Sequence, residues 1–364
     1  MWRRHREAIL TNLKVDAAIF KGSDNLYSGD LSDVPARAAA IEAMGADGLF
    51  TLDTTVDPFL TLLLAAEHTR KAELITGVAI AFARSPMTVA LQAWNLQRYS
   101  HGRMILGLGS QVQAHIEKRF SMPWGPPAAK MREYLQAVRA IWDCWGRGAP
   151  LKFRGEFYTH TLMTPTFNPG PTEGLADPKI YLGALGPKMV EVAGELADGL
   201  YGHPFTTLPF VRDVQMPSLR AGLEKSGRTL KDFDMPAMIM TITGETDAAL
   251  AKADLAIRKL IAFYGSTPAY YSVLDYHGWT DLGPRLNQMS KEGKWDEMTL
   301  LITDEIVEAF AVRGKPSEIP DRIHARCEGL IDRVTLYTPY EIADEILPGI
   351  IAGIRAKPGK SVAA

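Results

Sequence analysis

The stretch LITGVAIAFARSPMTVALQAWNLQRYSHGRMILGLGS, Leu74 to Ser110, decides the fold. Leu74 to Phe82 is a nearly unbroken apolar run, the pattern of a strand covered on both faces. Ser85 and Pro86 then predict a helix start. The serine oxygen can take an orphan N–H, and proline lacks the N–H that would go unpaired at the first helical position. Val89, Ala90, Ala93 and Leu96 recur at helical spacing. Ser100-His101-Gly102 ends that helix, and Met104 to Gly109 is a second buried strand. Strand, crossover helix and strand in this order make a parallel βαβ unit.

The same unit recurs on both sides. Asp57-Pro58 and Gly186-Pro187 repeat the Ser85-Pro86 junction, each between a short apolar run and an amphipathic helix. Strands are expected at 15–20, 48–52, 74–82, 104–109, 179–184, 199–203, 237–243 and 333–337, each followed by helical pattern. Eight alternations point to an α/β fold of the (β/α)8 TIM-barrel type with insertions. A Rossmann-like half joined to a helical domain is the alternative, but no linker composition divides the chain. Residues 1–14 read as a basic N-terminal extension, and 15–364 as a single barrel domain. Two irregular excursions interrupt it, one near 146–177 over a barrel rim and one near 265–294. The second carries Tyr270, Tyr271, Tyr276 and Trp279.

Composition narrows the function. The 364 residues are 46% hydrophobic with a net charge of −2, which argues against a dedicated nucleic-acid or anionic-membrane partner. No apolar run reaches the roughly 20 residues of a membrane span, and the N-terminus lacks a signal core, so a cytoplasmic protein is expected. Two cysteines, Cys144 and Cys327, indicate neither a disulfide framework nor a cysteine zinc site. No HExxH spacing or GxSxG elbow is present.

In a barrel the chemistry lies at the carboxyl ends of the strands. Asp53-Thr54 follow the second strand there, and Asp53 can accept hydrogen bonds from a ligand. Gly77 interrupts the third strand, where glycine marks a bulge or a close backbone approach; simple packing room is the competing explanation. Gly109-Ser110 end the fourth strand, with His115 one turn into the following helix. A third fingerprint glycine is missing at Val112, which disfavours a nicotinamide Rossmann site. His203 ends the sixth strand and can donate a proton or a hydrogen bond. The strongest local signal is Gly183-Ala184-Leu185-Gly186-Pro187, where a strand gives way to a proline-started helix whose N–H groups and positive end suit a phosphate.

Three stretches resemble the luciferase-like monooxygenase superfamily, in particular its branch of oxidoreductases that use the deazaflavin coenzyme F420. They are LITGVAIAFARSPMTVALQAWNLQRYSHGRMILGLGSQ, IYLGALGPKMVEVAGELADGLYGH and AFAVRGKPSEIPDRIHARCEGLIDRVTLYTPY. The resemblance implies a (β/α)8 barrel, usually homodimeric, with a flavin or deazaflavin in the carboxyl-end pocket. It implies a cis peptide at Gly77-Val78 against the ring, an acidic ring-side residue at Asp53, and backbone groups of Leu185-Gly186 on the cofactor phosphate. One departure matters. The branch that oxidises a sugar phosphate has a histidine where this chain has Thr54 and a glutamate where it has Val112, so that reaction is not expected. The activity the resemblance implies is hydride transfer between F420 and an unidentified small-molecule organic substrate, and the aromatic residues of 265–294 suggest that it is apolar in part. An FMN-dependent monooxygenase is the nearest rival, and a non-catalytic flavin- or deazaflavin-binding protein is the rival from another class.

Overall fold

The computed structural model describes residues 13–20, 29–327 and 329–357. Residues 1–12, most of the expected basic extension, lie outside these. The first half of the described chain alternates β1 (Lys14–Ala18), α1 (Val34–Ala43), β2 (Gly48–Thr51), α2 (Pro58–Glu67), β3 (Glu73–Thr76), α3 (Pro86–Tyr99), β4 (Met104–Gly109) and α4 (Pro127–Arg147). The second half continues with β5 (Lys179–Ala184), α5 (Pro187–Leu196), β6 (Gly199–Gly202), α6 (Met216–Lys225) and β7 (Pro236–Thr243). Then come α7 (Asp247–Gly265), β8 (Arg333–Tyr337) and α8 (Ile346–Arg355). β1 to β6 pair in sequence order, all parallel. β8 pairs with β1 and β7, and Gly202 pairs with Ala237 to join β6 to β7. The eight strands therefore close into the expected barrel, with the helices around it.

Local chemistry starts the helices where the sequence reading puts them. Asp57 accepts the N–H groups of Phe59 and Leu60, and Ser85 accepts that of Thr88, with proline at the first helical position in both cases. The opposite pole is held by charge. Arg333, 2% exposed, donates to both oxygens of Asp16 at 2.6 Å and to Glu73 at 2.6 Å. A side chain at Gly48 would collide with both Asp16 and Arg333, so glycine there leaves room for the pair.

Four expectations need correction. Leu74 to Phe82 is not one strand: pairing stops after Thr76, resumes for Ala79–Ile80 against Leu108 and Gly109, and ends in a 3-10 turn at Ala81–Ala83. The excursion at 265–294 is largely helical, with helices at Tyr271–Tyr276 and Leu282–Lys291 that bury Val273, Leu274 and Leu286. Gly278, Gly283, Pro284 and Gly293 punctuate it so closely that no helical period shows in the sequence. The excursion at 146–177 does not lie simply over a rim. It runs along α3 and α4, held at one end by Glu133, whose carboxylate accepts the N–H groups of Glu156, Phe157 and Tyr158. At its other end Trp94, Gln97 and Arg98 donate to the carbonyls of Gly170, Ala176 and Pro169. Finally, Ala311–Gly314 forms an unexpected short strand on the carboxyl half of β7.

Candidate functional site

The interruption of the third strand organises the carboxyl end of the barrel. The Gly77-Val78 peptide is cis. The Gly77 N–H donates to the Thr51 carbonyl at 2.8 Å, and Thr76 Oγ1 donates to the Gly107 carbonyl at 2.7 Å. A Cβ on Gly77 would lie 3.0 Å from Tyr201 Oη and 3.1 Å from Phe50 Cδ2, so glycine fits a crowded barrel interior here. The neighbouring glycines serve Val78. A Cβ on Gly109 would lie 2.6 Å from Val78 Cγ2, and one on Gly183 would lie 3.2 Å from Val78 Cγ1. β4 and β5 thus seat the valine against bare backbone. That pairing of roles, spread over three consecutive strands, has no local signal.

Asp53 is tied to the same segment. Its Oδ2 accepts the Ile80 N–H at 2.9 Å and pairs with Arg84, while Arg84 also reaches Asp57 Oδ2 at 3.0 Å. The Asp53 side chain is only 8% exposed. It joins the loop after β2 to the chain beyond the cis peptide. Burial works against the Arg84 charge, but its bonds to Asp53 and Asp57 outweigh this and raise its pKa. Thr54 lies beside this pair; its carbonyl accepts from Arg119 at 2.8 Å, and its Oγ1 is buried without a partner. Ser110 donates to the Gln111 carbonyl at 3.1 Å, and His115 stands exposed on the helix Gln113–Lys118.

The turn Gly183–Pro187 carries a different chemistry. Ala184 and Leu185 are buried, and Gly186 starts α5 with no side-chain cap on the helix N–H groups. No heavy atom lies within 4 Å of a Cβ built on Gly186, and its φ of −76° is open to any residue. Unlike Gly109 and Gly183, Gly186 is not needed for packing. Gln215, missed in the sequence, donates from Nε2 to the Leu185 carbonyl at 3.0 Å and the Ala184 carbonyl at 3.4 Å.

At the end of β6, His203 is half-buried among aromatic rings, with Tyr270 at 4.6 Å and Tyr264 at 5.0 Å between ring centres. Its Nδ1 accepts the Phe205 N–H at 3.0 Å. Burial lowers its pKa to about 4, so near neutral pH the ring is uncharged and carries its proton on Nε2. Burial likewise raises the pKa of Tyr264 and Tyr270, which stay un-ionised. Tyr264 Oη lies 3.0 Å from Tyr337 Oη at the end of β8. The end of α7 and the excursion that follows it therefore bring an uncharged, hydrogen-bonding aromatic wall to this end of the barrel. Among the described residues no group of three or more His, Cys, Asp and Glu side chains is placed to hold a metal ion, and no helix is long and apolar enough to cross a membrane.

The family model for luciferase-like monooxygenases matches residues 13–333, and the chain belongs to that family. A Mycobacterium tuberculosis protein described as uncharacterized is 51% identical over 85% of this chain and 91% of its own length. A second protein of that organism, described as a putative coenzyme F420-dependent oxidoreductase, is 29% identical over 76% of this chain and 82% of its own. Among solved structures, the coenzyme F420 dependent tetrahydromethanopterin reductase of Methanopyrus kandleri superposes with a TM-score of 0.74 at 21% identity, covering 94% of this chain and 98% of that one. At that identity the likeness is one of fold. Family and fold together support oxidoreductase activity.

Proposed function

We propose that this chain is an F420-dependent oxidoreductase that moves a hydride between the deazaflavin and an uncharged, partly apolar organic substrate. The observation that carries this reading is the Gly183–Pro187 turn, where α5 begins without a side-chain cap and Gly186 faces open space at the carboxyl end of β5. The N-terminus of such a helix favours a phosphate. The buried, unpartnered Oγ1 of Thr54 and Oε1 of Gln215 also fit a polar ligand in this end of the barrel. The mycobacterial relative described as putatively F420-dependent supports deazaflavin over flavin.

Bound there, the cofactor supplies the hydride chemistry, and the chain supplies binding, orientation and exclusion of water. Leu185 and Gly186 meet the phosphate through their backbone. Val78, seated over Gly109 and Gly183, gives the ring an apolar support. Asp53 fixes the chain beyond Val78 through the Ile80 N–H and Arg84. His203, uncharged, offers Nε2–H to an acceptor atom of the substrate, and Tyr264 and Tyr270 cover its apolar part. The exposed Leu60 and Leu63 of α2 and Leu91 and Tyr99 of α3 suit burial in a homodimer.

Reduced F420 incubated anaerobically with the protein and a panel of uncharged ketones, enones and imines tests the catalytic half of the proposal. Substrate-dependent recovery of deazaflavin absorbance is expected, and it should disappear in a Gly186→Asp variant. Tight binding with no acceptor reduced and no donor oxidised would leave a cofactor-binding protein.

A further inference from the structure

The turn that meets the phosphate does not hold itself. It follows a strand end: Ala184 is the last residue of β5, in register with Gly202, and Leu185 lies beyond the ladder before α5 begins. Free carbonyls at this point would compete for the space in front of the helix N-terminus, because oxygen dipoles and an anion repel. Both are drawn away by one side chain, Gln215, 1% exposed, whose Nε2 donates to Leu185 O at 3.0 Å and Ala184 O at 3.4 Å. The amide cannot be turned over without setting its own oxygen against two carbonyls, so Oε1 points away from them and is buried with no partner. Gln215 closes a π-helical turn, Val211–Gln215, between Leu208–Phe210 and α6. One extra residue per turn rotates the side chains that follow, and such turns gather at functional sites. The turn is fixed from the other side, where Tyr276 of the helical excursion donates to Asp213 Oδ2 at 2.5 Å.

We infer that Gln215 is a positioning residue for the cofactor phosphate: it holds the Ala184 and Leu185 carbonyls back so that the N–H groups at the start of α5 face the anion. The inference rests on the proposed function, and extends it to a residue that touches no phosphate itself.

The test separates the two. Affinities are measured by calorimetry for F420 and for its phosphate-free deazaflavin core, with FMN and riboflavin in parallel, on wild type and on Gln215→Met, which nearly keeps the volume and removes the amide. The ratio of core to F420 dissociation constants should fall at least tenfold in the variant, while the core itself changes less than twofold. Equal losses for both ligands, or no loss for either, would overturn the inference and leave the proposed function standing. Binding of neither ligand pair by wild type would overturn the proposed function, and the inference with it. Hydrogen exchange on the wild-type protein gives an answer even if the variant does not fold. F420, but not the core, should protect 183–189 and 211–215 together, and protection of 183–189 alone would overturn the role of Gln215.

Discussion

Gly186→Asp separates cofactor binding from folding more cleanly than any other single change at this site. The backbone there has φ −76° and ψ 151°, ordinary for aspartate, and a Cβ meets nothing within 4 Å. Gly186 is the residue that caps α5, and aspartate is a preferred cap, so the helix should gain about a few tenths of a kcal/mol. The ligand sees the reverse. The new carboxylate competes for the first N–H groups of α5 and sets a negative charge beside the phosphate. At an effective dielectric near 20, unit charges about 5 Å apart repel by roughly 3 kcal/mol, less what salt screens. A net loss of at least ~1.4 kcal/mol, tenfold or more in affinity, is the expected outcome. Calorimetric titration with F420 and a thermal melt of the same sample check both halves. A folded variant that binds F420 as wild type does would place the phosphate elsewhere and refute the reasoning.

Asp53→Asn keeps an acceptor for the Ile80 N–H but removes the charge facing Arg84; a stability loss of about 1–3 kcal/mol and slower turnover are expected, and unchanged turnover on a confirmed substrate would remove Asp53 from the site. His203 has a folded pKa of about 4 against an ordinary 6.5, so its contribution is complete above pH 6.5 and is lost as the pH falls toward 4. Denaturant melts at pH 7.5 and 4.5 should therefore show wild type losing up to about 3 kcal/mol more than His203→Phe. Arg333→Met leaves Asp16 buried without its partner at the far pole, which should cost about 3–5 kcal/mol in a denaturant melt while the folded protein still binds F420 normally.

What the sequence discloses is local. Asp57-Pro58, Ser85-Pro86 and Gly186-Pro187 carry their helix starts within a few residues, and each one starts a helix in the structure. The apolar strands are equally plain because both their faces are covered. Contacts across the barrel leave no such trace. Arg333 and Asp16 stand 317 positions apart, and Gln215 is 30 positions from the carbonyl of Leu185. Gly77, Gly109 and Gly183 look alike as letters, yet the first clears Tyr201 and Phe50 while the other two clear Val78. Asp53 could be found from its place after β2, but its partner Arg84 reads as an ordinary residue before a helix cap. His203 is visible as a strand-end histidine, whereas the burial that lowers its pKa, against Tyr264 of α7 and Tyr270 of the excursion, shows only in the fold.

Equilibrium titration with both cofactors tests the central claim most directly. Protein made in a host that lacks deazaflavin synthesis should purify nearly colourless, quench the fluorescence of added F420, and bind it more tightly than FMN. Protein that purifies yellow with FMN and leaves F420 fluorescence unchanged would contradict the account and make the chain an FMN-dependent monooxygenase.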